Sequence, residues 1–260
     1  MGDRGGTTLV FMGRHPAEKP KLSKVACTSS TIGAATCSPS TIPSEAREML
    51  PASIRLAARH SLQSVTDGVP WTLIRNWAAA ETTAIWRRQL TESIPWQQPL
   101  VKVYGRQHPT PRLTAFLGEP GLRYRYSGTQ HTGGGWPEWF VPLLEQVNQT
   151  CHCPFNGCLL NLYRHGEDRM GWHADDEPEI DQQSPIASLS IGASRDFQLR
   201  HRRKKDQKVS LNLADGDLLI MQPGCQQDWQ HCVPQRKRIQ TGRINLTFRR
   251  FNASLQPGQH

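Results

Sequence analysis

From about residue 156 onward the chain alternates apolar and polar positions in short bursts. Segments 157–164, 185–191, 196–201, 208–213, 217–221 and 243–250 each read as a strand, separated by turn chemistry such as Ala214-Asp215-Gly216-Asp217. In the fourth of these, Val209, Leu211 and Leu213 alternate with Ser210 and Asn212, as one buried and one wet face require. Earlier in the chain the spacing is helical. Trp86 and Leu90 stand four apart in a helix predicted over 77–91, with Asn76 as its N-cap. Trp139, Leu143, Leu144 and Val147 share a face over 137–148, with prolines at or near the first turns. Helices first and many short strands after predict an α+β domain: a jelly-roll (double-stranded β-helix) core with N-terminal helices packed on one sheet.

The first fifty residues follow neither period. They hold one aromatic, Phe11, among many Ser, Thr, Gly, Ala and Pro, and such a stretch buries too little apolar surface to offset its ordering entropy. Residues 1–50 therefore read as a disordered or processed tail, and 51–260 as the folded domain, beginning near 53–70. Asp3 and Glu18 count against an organelle leader, and no secretion signal is evident, so the reading is of an intracellular protein. Apolar runs such as Leu218 to Met221 fall far below the roughly 20 residues of a membrane helix. No internal repeat is found, and a monomer is expected.

Charge changes the picture. The chain carries a net +9, and residues outside 1–50 supply +7 of it. A basic folded part fits a polyanionic partner, although solubility alone is an equal explanation. The densest run is Arg200-His201-Arg202-Arg203-Lys204-Lys205-Asp206-Gln207-Lys208, at a predicted hairpin tip between two strands. The seven cysteines include no CxxC pair. Cys151, His152, Cys153 and Cys158 lack the second half of a zinc-ligand set, so thiols in a reducing compartment are the simpler reading.

Two features suggest chemistry. His173-Ala174-Asp175 places an imidazole and a carboxylate two residues apart, hence on one side of an extended chain, and His231 lies 56 residues beyond Asp175. Two imidazoles and a carboxylate can hold one face of an iron ion. A surface His beside an Asp, or a hydrolytic zinc site, fits that pattern too. The last strand discriminates. Period two puts Ile244, Leu246 and Phe248 on one face, and Arg243, Asn245, Thr247 and Arg249 on the other. Two interior arginines need a buried anion, and a dicarboxylate such as 2-oxoglutarate matches the guanidinium fork. On 157–164, Leu159, Asn161 and Tyr163 share a face and offer an amide and a phenol to the same cosubstrate.

The sequence resembles the AlkB family of nucleic-acid dealkylases from about Pro99 to Phe251. The likeness is carried in order by Asn161-Leu162-Tyr163, the Gly171–Glu177 segment, Pro185 to Ser190, Arg195-Asp196-Phe197, His231 and the RxNxTxR strand. It implies Fe(II) on His173, Asp175 and His231. It also implies 2-oxoglutarate gripped by Arg243 with Asn161, Tyr163 and Thr247, and Arg249 beside Asp175 and the metal-proximal end. O2 would be the co-substrate, with succinate, CO2 and formaldehyde as products and 1-methyladenine or 3-methylcytosine as lesions. Val103-Tyr104-Gly105, Pro111-Arg112 and Leu122 to Gly128 point to the bacterial and nuclear members that act on duplex DNA. By that likeness Val103 and Tyr104 would fill the gap left by an extruded base, and Gly105, Arg112, Tyr124 and Arg125 would be among the substrate-binding residues. Tyr126 and His173 would sandwich the base, while Asp176 and Glu177 face its polar edge. Arg202, Arg203, Lys204 and Lys205 would grip the DNA backbone. DNA is the expected partner, RNA is not separated from it, and a protein-modifying oxygenase or an inactive binding module remain rivals.

Overall fold

The computed structural model describes residues 68–103, 105–126 and 128–252. The expected tail at 1–50, the start of the domain up to residue 67, and Tyr104 lie outside the described residues. Six antiparallel strands form the larger sheet: β1 (Trp71–Ile74), β12 (Leu218–Met221), β9 (Ile186–Gly192), β14 (Arg243–Arg249), β7 (Gly157–Tyr163) and β4 (Leu113–Gly118), in that order across it. A second sheet runs β11 (Lys208–Leu213), β10 (Arg195–His201), β13 (Trp229–Val233), β8 (Met170–His173). Two hairpins stand apart, β2 (Leu100–Val103) with β3 (Arg106–Pro109), and β5 (Arg123–Tyr126) with β6 (Thr129–Thr132).

Alternation along the strands divides the buried residues into two layers. Leu189, Ile191, Ile220, Ile244, Leu246 and Phe248 on one face of the large sheet pack against Trp86 and Leu90 of α1 (Ala80–Ser93). Leu143, Leu144 and Val147 of α2 (Val141–Cys151) join the same layer. On the other face Leu159, Ile186 and Leu219 meet Phe197, Leu199, Leu213 and Val233 of the small sheet. This is the expected jelly roll with helices on one sheet. The polar side of β14 therefore falls between the sheets, in the layer that elsewhere is apolar. All seven residues of β14 are buried, because it is bonded on one edge to β9 and on the other to β7.

The predicted strands are present, with ends shifted by one residue at most. The first helix is a correction. Asn76 is not its N-cap but a turn residue at φ 48°, and the helix starts at Ala80 after an extended Ala79. The cause is the buried Asp217, whose carboxylate accepts the Asn76 N–H at 3.0 Å and Arg75 Nη1 at 2.5 Å. That anchor holds the chain in a turn for longer than the local sequence suggests. The second helix begins with a single 3-10 turn, Glu138–Phe140, before Val141.

Candidate metal and cosubstrate centre

His173 ends β8 and His231 lies in β13, where the two are register partners, with ring centroids 4.2 Å apart. Asp175 follows β8 by two residues and turns its carboxylate to the same point. One ligand atom from each of the three lies within 4.8 Å of the others, the only such metal-ligand cluster among the described residues. The histidine that is distant in sequence thus arrives on the adjacent strand of the small sheet.

The three side chains are held in the forms a cation needs. His173 Nδ1 lies 2.9 Å from the Gly171 carbonyl, which can only accept, so Nδ1 carries the proton and Nε2 keeps its lone pair. Burial holds the His173 imidazole below its usual pKa, and burial together with His173 pushes His231 down to about 3. Burial opposes ionisation of Asp175, but the Arg249 guanidinium beside it outweighs burial and holds the carboxyl below its ordinary value. Arg249 Nη2 reaches Asp175 Oδ2 at 2.8 Å, while Asp175 Oδ1 is buried with no hydrogen-bond partner. That orphaned oxygen is 3.7 Å from His173 Nε2. Two neutral imidazoles and an ionised carboxylate with a free oxygen fit Fe(II). Gln226, buried in the short α3 (Cys225–Asp228), accepts the Asp175 N–H at 3.0 Å and so ties the Asp175 segment to the chain leading into His231.

The same cleft is lined by Asn161, Tyr163, Asn245, Thr247 and Arg249. Arg243, at the start of this polar face, is 1% exposed; its Nη2 donates to Ser190 Oγ at 2.8 Å and to Asn245 Oδ1 at 2.6 Å. Its Nε and Nη1 have no partner. A buried guanidinium with two idle donors and only neutral partners calls for an anion, which is what one carboxylate of 2-oxoglutarate provides. Tyr163 lies between two such cations, its ring 5.6 Å from the Arg243 guanidinium carbon and 5.4 Å from that of Arg195. Asn245 also accepts Ser188 Oγ and donates to Thr247 Oγ1, so it acts as a strut for Arg243.

On the expected substrate side, Tyr124 and Tyr126 stack at 5.8 Å, both buried. Tyr124 Oη donates to Glu177 at 3.1 Å. Arg112 is buried beneath Tyr126 and Arg125 is exposed. Gly105 occupies the exposed turn of the β2–β3 hairpin at φ 81°, and Val103 pairs with Arg106 beside it. Asp176 is half-exposed and paired with Arg202 at 2.5 Å, and Arg203 pairs with Asp228 at 2.6 Å. Residues 202–207 do form the tip of the β10–β11 hairpin, and Lys204 and Lys205 are exposed there.

Several contributors escaped the sequence reading. Ser188 and Ser190 carried a signal, since they alternate with Ala187, Leu189 and Ile191. Gln226 carried none, because its partner is 51 residues away. Trp172 also went unassigned; its ring lies 4.3 Å from the Arg200 guanidinium carbon and 5.5 Å from Lys208 Nζ.

The chain is similar to known proteins. The family model for the 2OG-Fe(II) oxygenase superfamily matches residues 70–249. The DNA oxidative demethylase ALKBH2 of Mus musculus is 43% identical over 162 residues, covering 58% of this chain and 66% of its own. The alpha-ketoglutarate-dependent dioxygenase alkB homolog 3 of Mus musculus is 37% identical over 170 residues, covering 62% and 59%. The chain thus spans somewhat less than two thirds of these curated relatives. The solved structure of OsALKBH1 superposes with a TM-score of 0.53 at 16% identity, over 72% of this chain and 99% of that one, which supports the fold. With both sheets, the three-residue metal face and the buried arginines inside the matched span, the chain belongs to the 2OG-Fe(II) oxygenase superfamily and, within it, to the AlkB family.

Proposed function

We propose that this chain oxidatively demethylates N-alkylated bases in DNA, such as 1-methyladenine and 3-methylcytosine, as direct-reversal repair. One observation carries the reading: a His-Asp-His face with an orphaned carboxylate oxygen opens on a cleft lined by Asn245, the residue that holds the uncompensated buried Arg243. The names of the relatives, DNA oxidative demethylase among them, supply the substrate class. His173, Asp175 and His231 would hold Fe(II), and Arg243, Asn161 and Tyr163 would hold 2-oxoglutarate. Together with O2 that pair supplies hydroxylation of an N-methyl carbon as 2-oxoglutarate becomes succinate and CO2, after which the hydroxymethyl group leaves as formaldehyde.

The protein's own share is positional. Arg249 fixes the Asp175 carboxylate so that one oxygen alone faces the two imidazoles. The buried, partly apolar cleft limits water, which strengthens the charge contacts within it. A base within a duplex cannot reach this depth, so it must be extruded, at a cost of a few kcal/mol that lesions without Watson–Crick pairing reduce. Tyr126, which lines the cleft with Tyr124 stacked behind it, offers an aromatic ring for such a base, and Lys204 and Lys205 offer cations to the phosphates.

The test offers one 3-methylcytosine in duplex DNA, single-stranded DNA and single-stranded RNA of matching sequence, with Fe(II), 2-oxoglutarate and ascorbate. Restored cytosine in DNA, absent with His173→Ala, supports the reading. Restoration in RNA alone transfers the activity to RNA, and succinate without restored base from any of the three moves the search to protein substrates.

A further inference from the structure

We infer that Arg112 is a positioning residue that sets the donor face of Asn161 and anchors Tyr126, coupling the cosubstrate side of the cleft to the side where the base is expected. The inference rests on the functional reading above. Arg112 precedes β4 directly, is 4% exposed, and has no ion-pair partner among the described residues. Its Nε donates to Asn161 Oδ1 at 2.8 Å and its Nη2 to Tyr126 Oη at 3.0 Å. Asn161 from β7 and Tyr126 from the end of β5 both line the cleft, although they belong to different sheets. The two share no hydrogen bond with each other; the guanidinium is their link.

The consequence follows from donor and acceptor chemistry. A guanidinium donates and never accepts, so Asn161 must turn its oxygen to Arg112 and its amino group away. That leaves an N–H donor for the carboxylate expected in the cleft. Without Arg112 the amide can rotate by half a turn at little cost, and an oxygen would then meet the carboxylate. The Tyr126 hydroxyl obeys the same rule. Its oxygen accepts from Arg112, so its proton points elsewhere, with Met170 Sδ at 3.6 Å. The ring is thereby held at its tip as well as by packing. A buried cation among neutral partners also lacks charge compensation, which a dianionic cosubstrate in the same cleft supplies in part. Filling one side of the cleft should thus tighten the other.

Two measurements test this on the full chain. The first is calorimetric titration of 2-oxoglutarate into Mn(II)-loaded protein without nucleic acid. The second is anisotropy of a labelled 3-methylcytosine duplex with and without 2-oxoglutarate. Arg112→Met is expected to weaken 2-oxoglutarate by about 10- to 100-fold, the loss of one charge-assisted hydrogen bond. Arg112→Lys, still a donor-only cation, recovers most of that loss. In the wild type 2-oxoglutarate tightens duplex binding about fivefold or more. Tyr126→Phe keeps the 2-oxoglutarate affinity and loses this tightening. Should Arg112→Met fail to fold, Arg112→Gln takes its place; it keeps an N–H for Asn161 but is too short for Tyr126, so it should behave as Tyr126→Phe does. Wild-type affinity in Arg112→Met, equal losses in the Met and Lys variants, or no tightening in the wild type each overturn the inference. A wild-type protein that binds no 2-oxoglutarate overturns the functional reading instead.

Discussion

Replacing Arg243 with Met separates the cost of a buried guanidinium from its use. Arg243 is fully enclosed, and burial lowers its pKa to about 10, so it remains a cation at neutral pH. In the ligand-free protein it makes two hydrogen bonds, to Ser190 and Asn245, and leaves two donors idle. Those bonds are worth about 1 kcal/mol each, whereas burying a cation without a paired anion costs several kcal/mol. Methionine removes both terms, and Asn245 keeps its bond to Ser188 Oγ. The ligand-free variant should therefore be as stable as the wild type, or more stable by about 1–2 kcal/mol. Cosubstrate binding should move the opposite way. Losing a two-pronged contact with a carboxylate, at about 1.5–3 kcal/mol for each charged hydrogen bond, weakens 2-oxoglutarate by about 10²- to 10⁴-fold. Urea unfolding reads both effects in one experiment. With 2-oxoglutarate at a hundred times the wild-type Kd, the wild type gains about 2.7 kcal/mol and the variant almost nothing. A variant that loses more than about 2 kcal/mol without ligand, or gains the same ligand-dependent shift, refutes the reasoning.

Four further outcomes follow from the packing and the charges. Phe248→Ala, which empties a fully buried site between Phe140 and Phe155, should cost about 3–5 kcal/mol in denaturant unfolding. Gly166→Ala would set a Cβ 1.7 Å from the Arg236 carbonyl oxygen, so a loss of about 1–3 kcal/mol is expected in the same assay. Burial alone would raise the Asp168 carboxyl, but its bonds to Arg164 outweigh burial and hold it below the usual range. Its contribution is thus present above the unfolded carboxyl value and lost as pH falls through the folded one. Melting of Asp168→Asn should fall short of wild type at pH 7 and converge with it in acid. Changing Arg202, Arg203, Lys204 and Lys205 to Ala should reduce the salt slope of DNA binding by about 0.9 for each phosphate contact removed, and an unchanged slope takes the hairpin out of the interface.

The jelly roll and its site were legible where period two and burial coincide. β14 is the clearest case: both of its faces are buried, so the polar face had to be functional, and Arg243, Thr247 and Arg249 do line or flank the cleft. His173 and His231 converge as register partners on adjacent strands, and Asp175, two residues past the end of β8, turns back to the same point. Elements without a one-sided burial pattern were not legible, and neither was β5, whose Arg-Tyr-Arg-Tyr alternation is only four residues long. Strand β3 is exposed at all four positions, and β1 is four residues long with no strictly polar face, so neither was anticipated. Asn76 had the right chemistry for a helix cap, yet a carboxylate 141 residues away holds it in a turn. Arg112 was expected to bind substrate, and nothing local to it reveals that its partners are Asn161 and Tyr126.

The central claim is that the His-Asp-His face and the Arg243 pocket work as one oxidising centre on a methylated base. The most direct test follows succinate and formaldehyde together while the protein acts on a duplex holding a single 3-methylcytosine, with Fe(II), 2-oxoglutarate and O2. The account predicts formaldehyde and restored cytosine in equal amounts, accompanied by succinate, and neither formaldehyde nor restored base from His173→Ala or in the absence of iron. Folded, iron-loaded protein that yields neither succinate nor formaldehyde would contradict it.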